Sequence, residues 1–517
     1  MKRVFQGSSF ALILLCLAVI SCPDKHEGKS LPRSLPEAEG VSSRAIITFL
    51  DSAATSRHEF HSFMFLRHGK VIAEGWWNPF RPDLKHTLYS TSKSFTSTAV
   101  GFAVKEKRLS IDDKVITFFP EYLPDTVSPF LAELKIKHLL TMSVGQRRET
   151  PSTAEGWVKT FLETPVEFEP GTKYRYNSMA SFMLSAIVQK VTGEKVIDYL
   201  TPRLFKPLGI EGADWETNPE GINTGGWGLR LKTEDLAKFG QLYLQKGKWN
   251  GKQVLAKKWV EEATSLKIQQ NPDLSQSTRD SSNDGVQGYC YQFWRARHDS
   301  YMANGAFGQF ILIMPEKDAI VVFTAESPDM WGELDMVWKY LYPGIKDEPL
   351  PEDEESVSEL KGRLASLALP VPPKSSNEAL SSTVSGKTII LSENQRRIQS
   401  ISLQFRDEMC MLNIKTDTSS YDLSFGSGSW HFGETSMHGP NLFSRSKGNL
   451  TGLPPFKIAG AYTWKDDQSL ELTLRFIDCM HTERITFTFG KDKKVLVNIK
   501  DSNSQEIRIA SIEGLLP

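Results

Sequence analysis

A serine three residues ahead of a lysine can do acyl-transfer chemistry when both sit at the start of a helix, because residues three apart share a face. The hydroxyl is then a nucleophile and the amine a group to receive its proton. The chain of 517 residues contains this spacing three times, at Ser90–Lys93, Ser358–Lys361 and Ser444–Lys447. Context separates them. Ser90 opens a weakly polar, mostly apolar run through Thr98-Ala99-Val100-Gly101-Phe102-Ala103-Val104, which reads as a buried helix. Ser358 lies in an acidic stretch and Ser444 in a loop bearing Gly and Lys. A buried lysine loses its charge more easily, so Lys93 is the candidate to take the Ser90 proton or to hold a tyrosinate. On this segment alone Ser90 reads equally well as a helix cap, with Lys93 in solvent.

The segment Phe168-Glu169-Pro170-Gly171-Thr172-Lys173-Tyr174-Arg175-Tyr176-Asn177-Ser178 changes that balance. Together with Leu88-Tyr89-Ser90-Thr91-Ser92-Lys93 and Ile136-Lys137-His138-Leu139-Leu140-Thr141-Met142, it resembles the class C β-lactamases and penicillin-binding-protein-like hydrolases. Trp227-Gly228-Leu229 and Thr233-Glu234-Asp235-Leu236-Ala237 fit the same resemblance, which covers roughly residues 40 to 343. It implies Ser90 as nucleophile, Lys93 beside it and Tyr176 as proton carrier, its phenol pKa lowered by Lys93. It also implies an oxyanion hole from the amides of Ser90 and Ala306. Ser178 stands where the family has asparagine. Ala303-Asn304-Gly305 stands where the family has Lys-Thr-Gly or His-x-Gly, so the cation for a β-lactam or peptide carboxylate is missing. Ser178, Asn304 and Gly305 are the expected substrate-binding positions, and Arg295, Arg297 or His298 could restore a charge. His138 reads as a helix histidine bonded to backbone. The pattern is most similar to the esterase and 6-aminohexanoate-dimer hydrolase branch, which implies an ester or amide substrate ahead of a β-lactam or D-amino-acid peptide. The competing class is a non-catalytic, surface-anchored binding protein on the same fold.

Other chemistries fit poorly. His58-Glu59-Phe60-His61 lacks the His-Glu-x-x-His spacing of a zinc helix, and Gly386-Lys387-Thr388 lacks the upstream glycine of a phosphate loop. No metal or cofactor is expected. With 61 basic against 62 acidic residues, nothing advertises nucleic acid as a partner; a small-molecule or peptide substrate is expected.

The elements that must position these residues follow from patterning. A helix over Ala45–Ala54 and a hairpin from Phe63 through Trp76, turned at His68-Gly69, precede the Ser90 helix. Helices are expected over Ala180–Val191 and Thr233–Gln245, then strands over Tyr289–Ala296, Gln309–Met314 and Ala319–Thr324. This predicts an α+β fold of the β-lactamase/transpeptidase-like kind, one antiparallel sheet built from both ends of the domain and flanked by helices. Acids and prolines from 344 to 374, with a helix near Ser356–Leu367, mark a linker. Alternating segments from 375 to 517, including Ser400–Phe405, Met409–Ile414, Leu470–Phe476, Arg484–Phe489 and Val495–Ile499, predict an all-β barrel or lipocalin-like domain of about eight to ten strands. At the other end, Lys2 and Arg3 before the apolar run Phe10–Ile20 and Ser21-Cys22 predict a lipoprotein signal over residues 1–21, lipidation of Cys22 and a tether over 22–43. That places the expected protein in a bacterial cell envelope, anchored to membrane and facing periplasm or cell surface; each buried methylene of such an anchor contributes ~0.8 kcal/mol. Five cysteines are too few for a disulfide scaffold, although a Cys410–Cys479 bridge is possible.

Overall fold

The computed structural model describes residues 1, 30–153, 155–443, 453, 455–502 and 509–517. The signal segment, Cys22 and the Ser444–Lys447 pair lie outside the described residues. No described helix is long and apolar enough to cross a membrane.

Strands β1 (Glu59–Arg67), β2 (Lys70–Trp76), β3 (Trp294–Arg295), β4 (Tyr301–Gly305), β5 (Gln309–Met314) and β6 (Ala319–Glu326) form one sheet in the order β2-β1-β6-β5-β4-β3. All pairings are antiparallel, and the two ends of this domain meet where β1 pairs with β6. β5 is apolar at nearly every position because both its faces are covered. Ile311 and Ile313 pack on the side of α2 (Ser92–Lys105), α3 (Ser178–Thr192) and α4 (Thr233–Leu244), while Phe310, Leu312 and Met314 pack against α1 (Ser43–Thr55) and the segment 330–341. Every α2 residue from Ser92 to Ala103 is buried, so the helix that carries Lys93 runs through the core.

Three expectations need correction. The strand expected over Tyr289–Ala296 shrinks to Trp294–Arg295, because Gln292 takes a left-handed backbone (φ 62°) and breaks the run. Residues 31–43 are not a loose tether: Leu31 is buried in the core, and Arg33 bridges to Val71 and pairs with Glu74 and Glu234. The linker is likewise packed. Its helix α5 (Glu354–Ala365) buries Leu360 and lies on α1 and β2, where a Cβ at Gly75 would stand 2.6 Å from Leu367.

Beyond Val384 come β7 (Thr388–Leu391), β8 (Ile398–Arg406), β9 (Met409–Thr416), β10 (Ser420–Ser427), β11 (His431–Thr435), β12 (Phe456–Trp464), β13 (Ser469–Phe476), β14 (Thr482–Phe489), β15 (Lys494–Asp501) and β16 (Ile509–Leu515). Nine of these close a barrel in the order β10-β9-β8-β7-β16-β15-β14-β13-β12, sealed by a short parallel pairing of β10 with β12. β11 extends β12 outside that ring. Alternation of exposed and buried residues along β7 and β15 sends Ile389, Val495 and Val497 inward, the pattern a small filled barrel requires. Cys410 and Cys479 are both free thiols, so no bridge joins them.

Candidate active site

Ser90 lies in a single 3-10 turn, Tyr89–Thr91, that feeds directly into α2. Tyr89 holds φ 44°, a left-handed conformation that a bulky residue adopts at a cost of ~1 kcal/mol or more. The consequence is a sharp turn that leaves Ser90 half-buried at the head of the helix while Thr91 and Ser92 are fully buried. Thr91 Oγ1 donates to Gln309 O at 2.8 Å and ties the turn to β5.

One helical turn on, Lys93 is 1 % exposed and its Nζ donates to Ser90 Oγ (3.0 Å), Ser178 Oγ (3.3 Å) and Gly226 O (2.6 Å). An ammonium has three protons and here finds three acceptors. Burial lowers the Lys93 pKa to about 7, opposed in part by the Glu149 carboxylate, so much of the population is neutral near neutrality. Gly226 O has no proton to offer in return. The lone pair of the neutral amine must therefore meet a serine hydroxyl. Gly226 itself is needed for the close approach, since a Cβ there would lie 2.7 Å from Ser178 O.

Tyr176 is also brought in: its phenol bonds to Ser90, and the Lys93 Nζ stands 4.9 Å from the centre of its ring. Here the structure corrects the expected electrostatics. Lys93 faces the ring, where it makes a cation–π contact, and the phenol pKa is raised by burial rather than lowered. Tyr176 thus sits in the site as a protonated phenol. It shares an aromatic wall with Tyr289 (6.5 Å between ring centres) and Trp294 (5.7 Å).

Ser178 Oγ accepts from Lys93, and its own helix α3 is capped by Asn177, whose Oδ1 accepts from Ala180 N at 3.1 Å. Glu149, which the sequence pattern did not single out, also caps α3, accepting from Met179 N at 3.1 Å. His138 is structural as expected: its Nδ1 accepts from Lys135 N at 3.1 Å.

The end of β4 lies against the turn that carries Ser90, for a Cβ on Gly305 would be 2.2 Å from Leu88 O and 3.0 Å from Thr91 Oγ1. Gly305 O accepts from Gly308 N at 3.2 Å and so points into the loop 305–308. The Ala306 N–H, in the same trans peptide, points the opposite way, out of the loop. Asn304 departs from its expected role. Strand alternation puts it with Met302 and its register partner Phe310 on the face away from α2, where it is buried and its Nδ2 has no partner among the described residues. None of the three candidate cations replaces the lysine missing at position 303. Arg295 pairs with Asp299, Arg297 with Asp284 (2.8 Å) and Asp335, and His298 stacks on Tyr342 at 4.2 Å.

A buried amine of lowered pKa, a serine on a strained turn 3.0 Å away and a neutral phenol on the same hydroxyl form a site equipped to move a proton off a nucleophile. Comparisons with known proteins identify the family. The family model described as Beta-lactamase matches residues 59–335. Among curated relatives, the 6-aminohexanoate-dimer hydrolase of Paenarthrobacter ureafaciens is 24 % identical over 300 residues, 52 % of this chain and 73 % of that protein. A putative D-alanyl-D-alanine carboxypeptidase of Escherichia coli K12 is 26 % identical over 142 residues, 24 % of this chain and 33 % of that protein. Among solved structures, a putative 6-aminohexanoate-dimer hydrolase from Bacillus anthracis aligns with a TM-score of 0.49 and 20 % identity, covering 61 % of this chain and 86 % of that one. The chain belongs to the Beta-lactamase family of serine hydrolases and carries, beyond it, a closed nine-stranded β-barrel domain.

Proposed function

We propose that the protein cleaves an ester or small amide through an acyl-enzyme on Ser90. The observation that carries this reading is the Lys93 amine, buried and 3.0 Å from the Ser90 hydroxyl, where burial favours its neutral form. Ser90 Oγ attacks the carbonyl carbon as its proton passes to neutral Lys93. The tetrahedral oxyanion is received by the amides of Ser90 and Ala306, each such donor contributing ~3 to 4 kcal/mol to the transition state. The Tyr176 phenol, hydrogen-bonded to Ser90, gives its proton to the leaving oxygen or nitrogen, and the proton that Lys93 took up returns to the phenolate through a water molecule. Water then attacks the acyl carbon, returns a proton through the same pair, and releases the carboxylic acid and free Ser90.

Esters and small amides are favoured over β-lactams because position 303 is alanine and the nearby arginines are engaged in ion pairs. The relative named for the 6-aminohexanoate dimer makes a short linear amide the first amide to try. A panel of p-nitrophenyl esters, short linear amides, D-amino-acid peptides and nitrocefin tests this. Turnover of an ester or linear amide is expected to exceed that of nitrocefin by a wide margin, and the reverse order would make the protein a β-lactamase. We further propose that Cys22 carries a lipid anchor in a bacterial envelope; a Cys22→Ser protein that stays in the membrane fraction would refute it.

The pH dependence follows from the same amine. Only the neutral form accepts the Ser90 proton, so kcat/KM for an activated ester should fall about tenfold per unit below pH 7 and level off above it. A profile flat from pH 5.5 to 8.5 would remove Lys93 as the base.

A further inference from the structure

We propose that the C-terminal barrel is a working part of the active site, and that His481 is the positioning residue through which it sets the nucleophile turn and the oxyanion loop. The inference rests on the reading of Ser90 as nucleophile. Three positions of the proposed machinery each have a chain neighbour that touches the barrel domain. Tyr89, before Ser90, places its hydroxyl 2.6 Å from His481 Nε2. Trp227, after the Gly226 carbonyl that holds Lys93, stacks on Phe443 with ring centres 4.2 Å apart and planes at 13°. Phe307, after Ala306, meets the His481 ring edge-on at 5.1 Å and 88°.

The hydrogen-bond directions around His481 are fixed by chemistry. Glu326, at the end of β6, lies 2.5 Å from His481 Nδ1, so Nδ1 carries the proton and donates to the carboxylate. Nε2 is left as an acceptor, and the Tyr89 hydroxyl donates to it. The phenol oxygen in turn accepts from Leu442 N at 3.1 Å. His481 is 1 % exposed and bridges two groups of the hydrolase domain, although it comes from the barrel. Beside it, the cavity between Tyr89, Trp227, Arg230, Pro440 and Cys479 measures about 30 Å³. Flanking ion pairs, Arg475 with Glu59 (2.6 Å) and Arg230 with Asp478 (3.2 Å), lock the barrel in this pose. The side chain of Tyr89, whose backbone is left-handed, is thereby held at its far end.

Steady-state hydrolysis of p-nitrophenyl acetate by the full chain, with melting temperatures alongside, tests the proposal. Tyr89→Phe and His481→Ala should each lower kcat by about 10- to 100-fold, the scale of a small misplacement of reacting groups, and change KM by less than about threefold. The double variant should be no worse than the poorer single one, since both break one link. His481→Gln, whose amide can donate to Glu326 and accept from Tyr89, should recover most of the lost kcat. Arg396→Ala, which removes the barrel's own pairs with Glu483 (2.6 Å) and Asp501 (2.7 Å), should lower the melting temperature and leave kcat alone. An active wild type whose Tyr89→Phe and His481→Ala variants keep kcat within about twofold overturns the proposal, as do losses that multiply in the double variant or follow melting temperature across the set. A wild type that neither turns over the ester nor reacts with a fluorophosphonate overturns the acyl-hydrolase reading itself, and this one with it.

Discussion

Ser90→Ala is expected to abolish turnover of p-nitrophenyl acetate, lowering kcat/KM by on the order of 10⁴-fold or more, the scale seen when the nucleophile of a cooperating unit is removed. The loss is chemical rather than structural. Ser90 is half-buried in a turn, and its removal deletes one hydrogen bond to Lys93 and one to Tyr176 without opening a core cavity. Such a change is worth ~1 kcal/mol of stability, so the melting temperature should move by no more than a few degrees. Pure Ser90→Ala protein that keeps more than about a tenth of the wild-type rate would mean that another group attacks the carbonyl.

Lys93→Met should cost nearly as much, on the order of 10³- to 10⁴-fold in kcat, because proton removal and nucleophile act as one unit. Stability makes this variant informative. Methionine fills similar volume and relieves the burial of an amine that is 1 % exposed, yet it leaves Gly226 O without its 2.6 Å donor. The two effects are of similar size, ~1 to 3 kcal/mol each and opposite in sign, so folding should be nearly unchanged while activity collapses. Tyr176→Phe discriminates between the two candidate bases. With the phenol protonated and Lys93 set over its ring, Tyr176 relays a proton and does not start the reaction, so its loss should cost less, about 100-fold. A larger loss for Tyr176→Phe than for Lys93→Met would make a tyrosinate the base and reverse the proposed roles.

Much of this site was legible before any coordinates, because local spacing carries it. Ser90 and Lys93 sit on one helical face, and Tyr176 follows a Pro-Gly turn at a fixed distance, so the structure joins all three. Strands such as Gln309–Met314 and helices such as Thr233–Leu244 fall within a residue or two of their expected bounds, since their apolar runs and periodicity are decided within the segment. What stayed hidden depends on partners far along the chain. Polar residues 31–43 looked like tether because composition says nothing of Glu74 and Glu234, which pair with Arg33. Asn304 looked like a substrate contact, but a strand's facing is set by its register, and β4 turns that side chain to the far face. The sign of the Tyr176 shift is not legible in sequence, because spacing brings Lys93 near the residue without saying which atom it meets: burial dominates, and the amine meets the ring instead of the phenol oxygen. His481 is separated from Tyr89 by 392 positions, and nothing in its neighbourhood, Cys479-Met480-His481-Thr482, marks it.

Intact-mass measurement after exposure to a fluorophosphonate tests most directly the proposed proton path from Ser90 to Lys93 by which Ser90 becomes a nucleophile. The expected result is one adduct per wild-type chain, mapped by peptide fragmentation to Ser90, absent from Ser90→Ala and formed far more slowly by Lys93→Met. No adduct on the active wild-type protein, or an adduct at another residue that persists in Ser90→Ala, would contradict it.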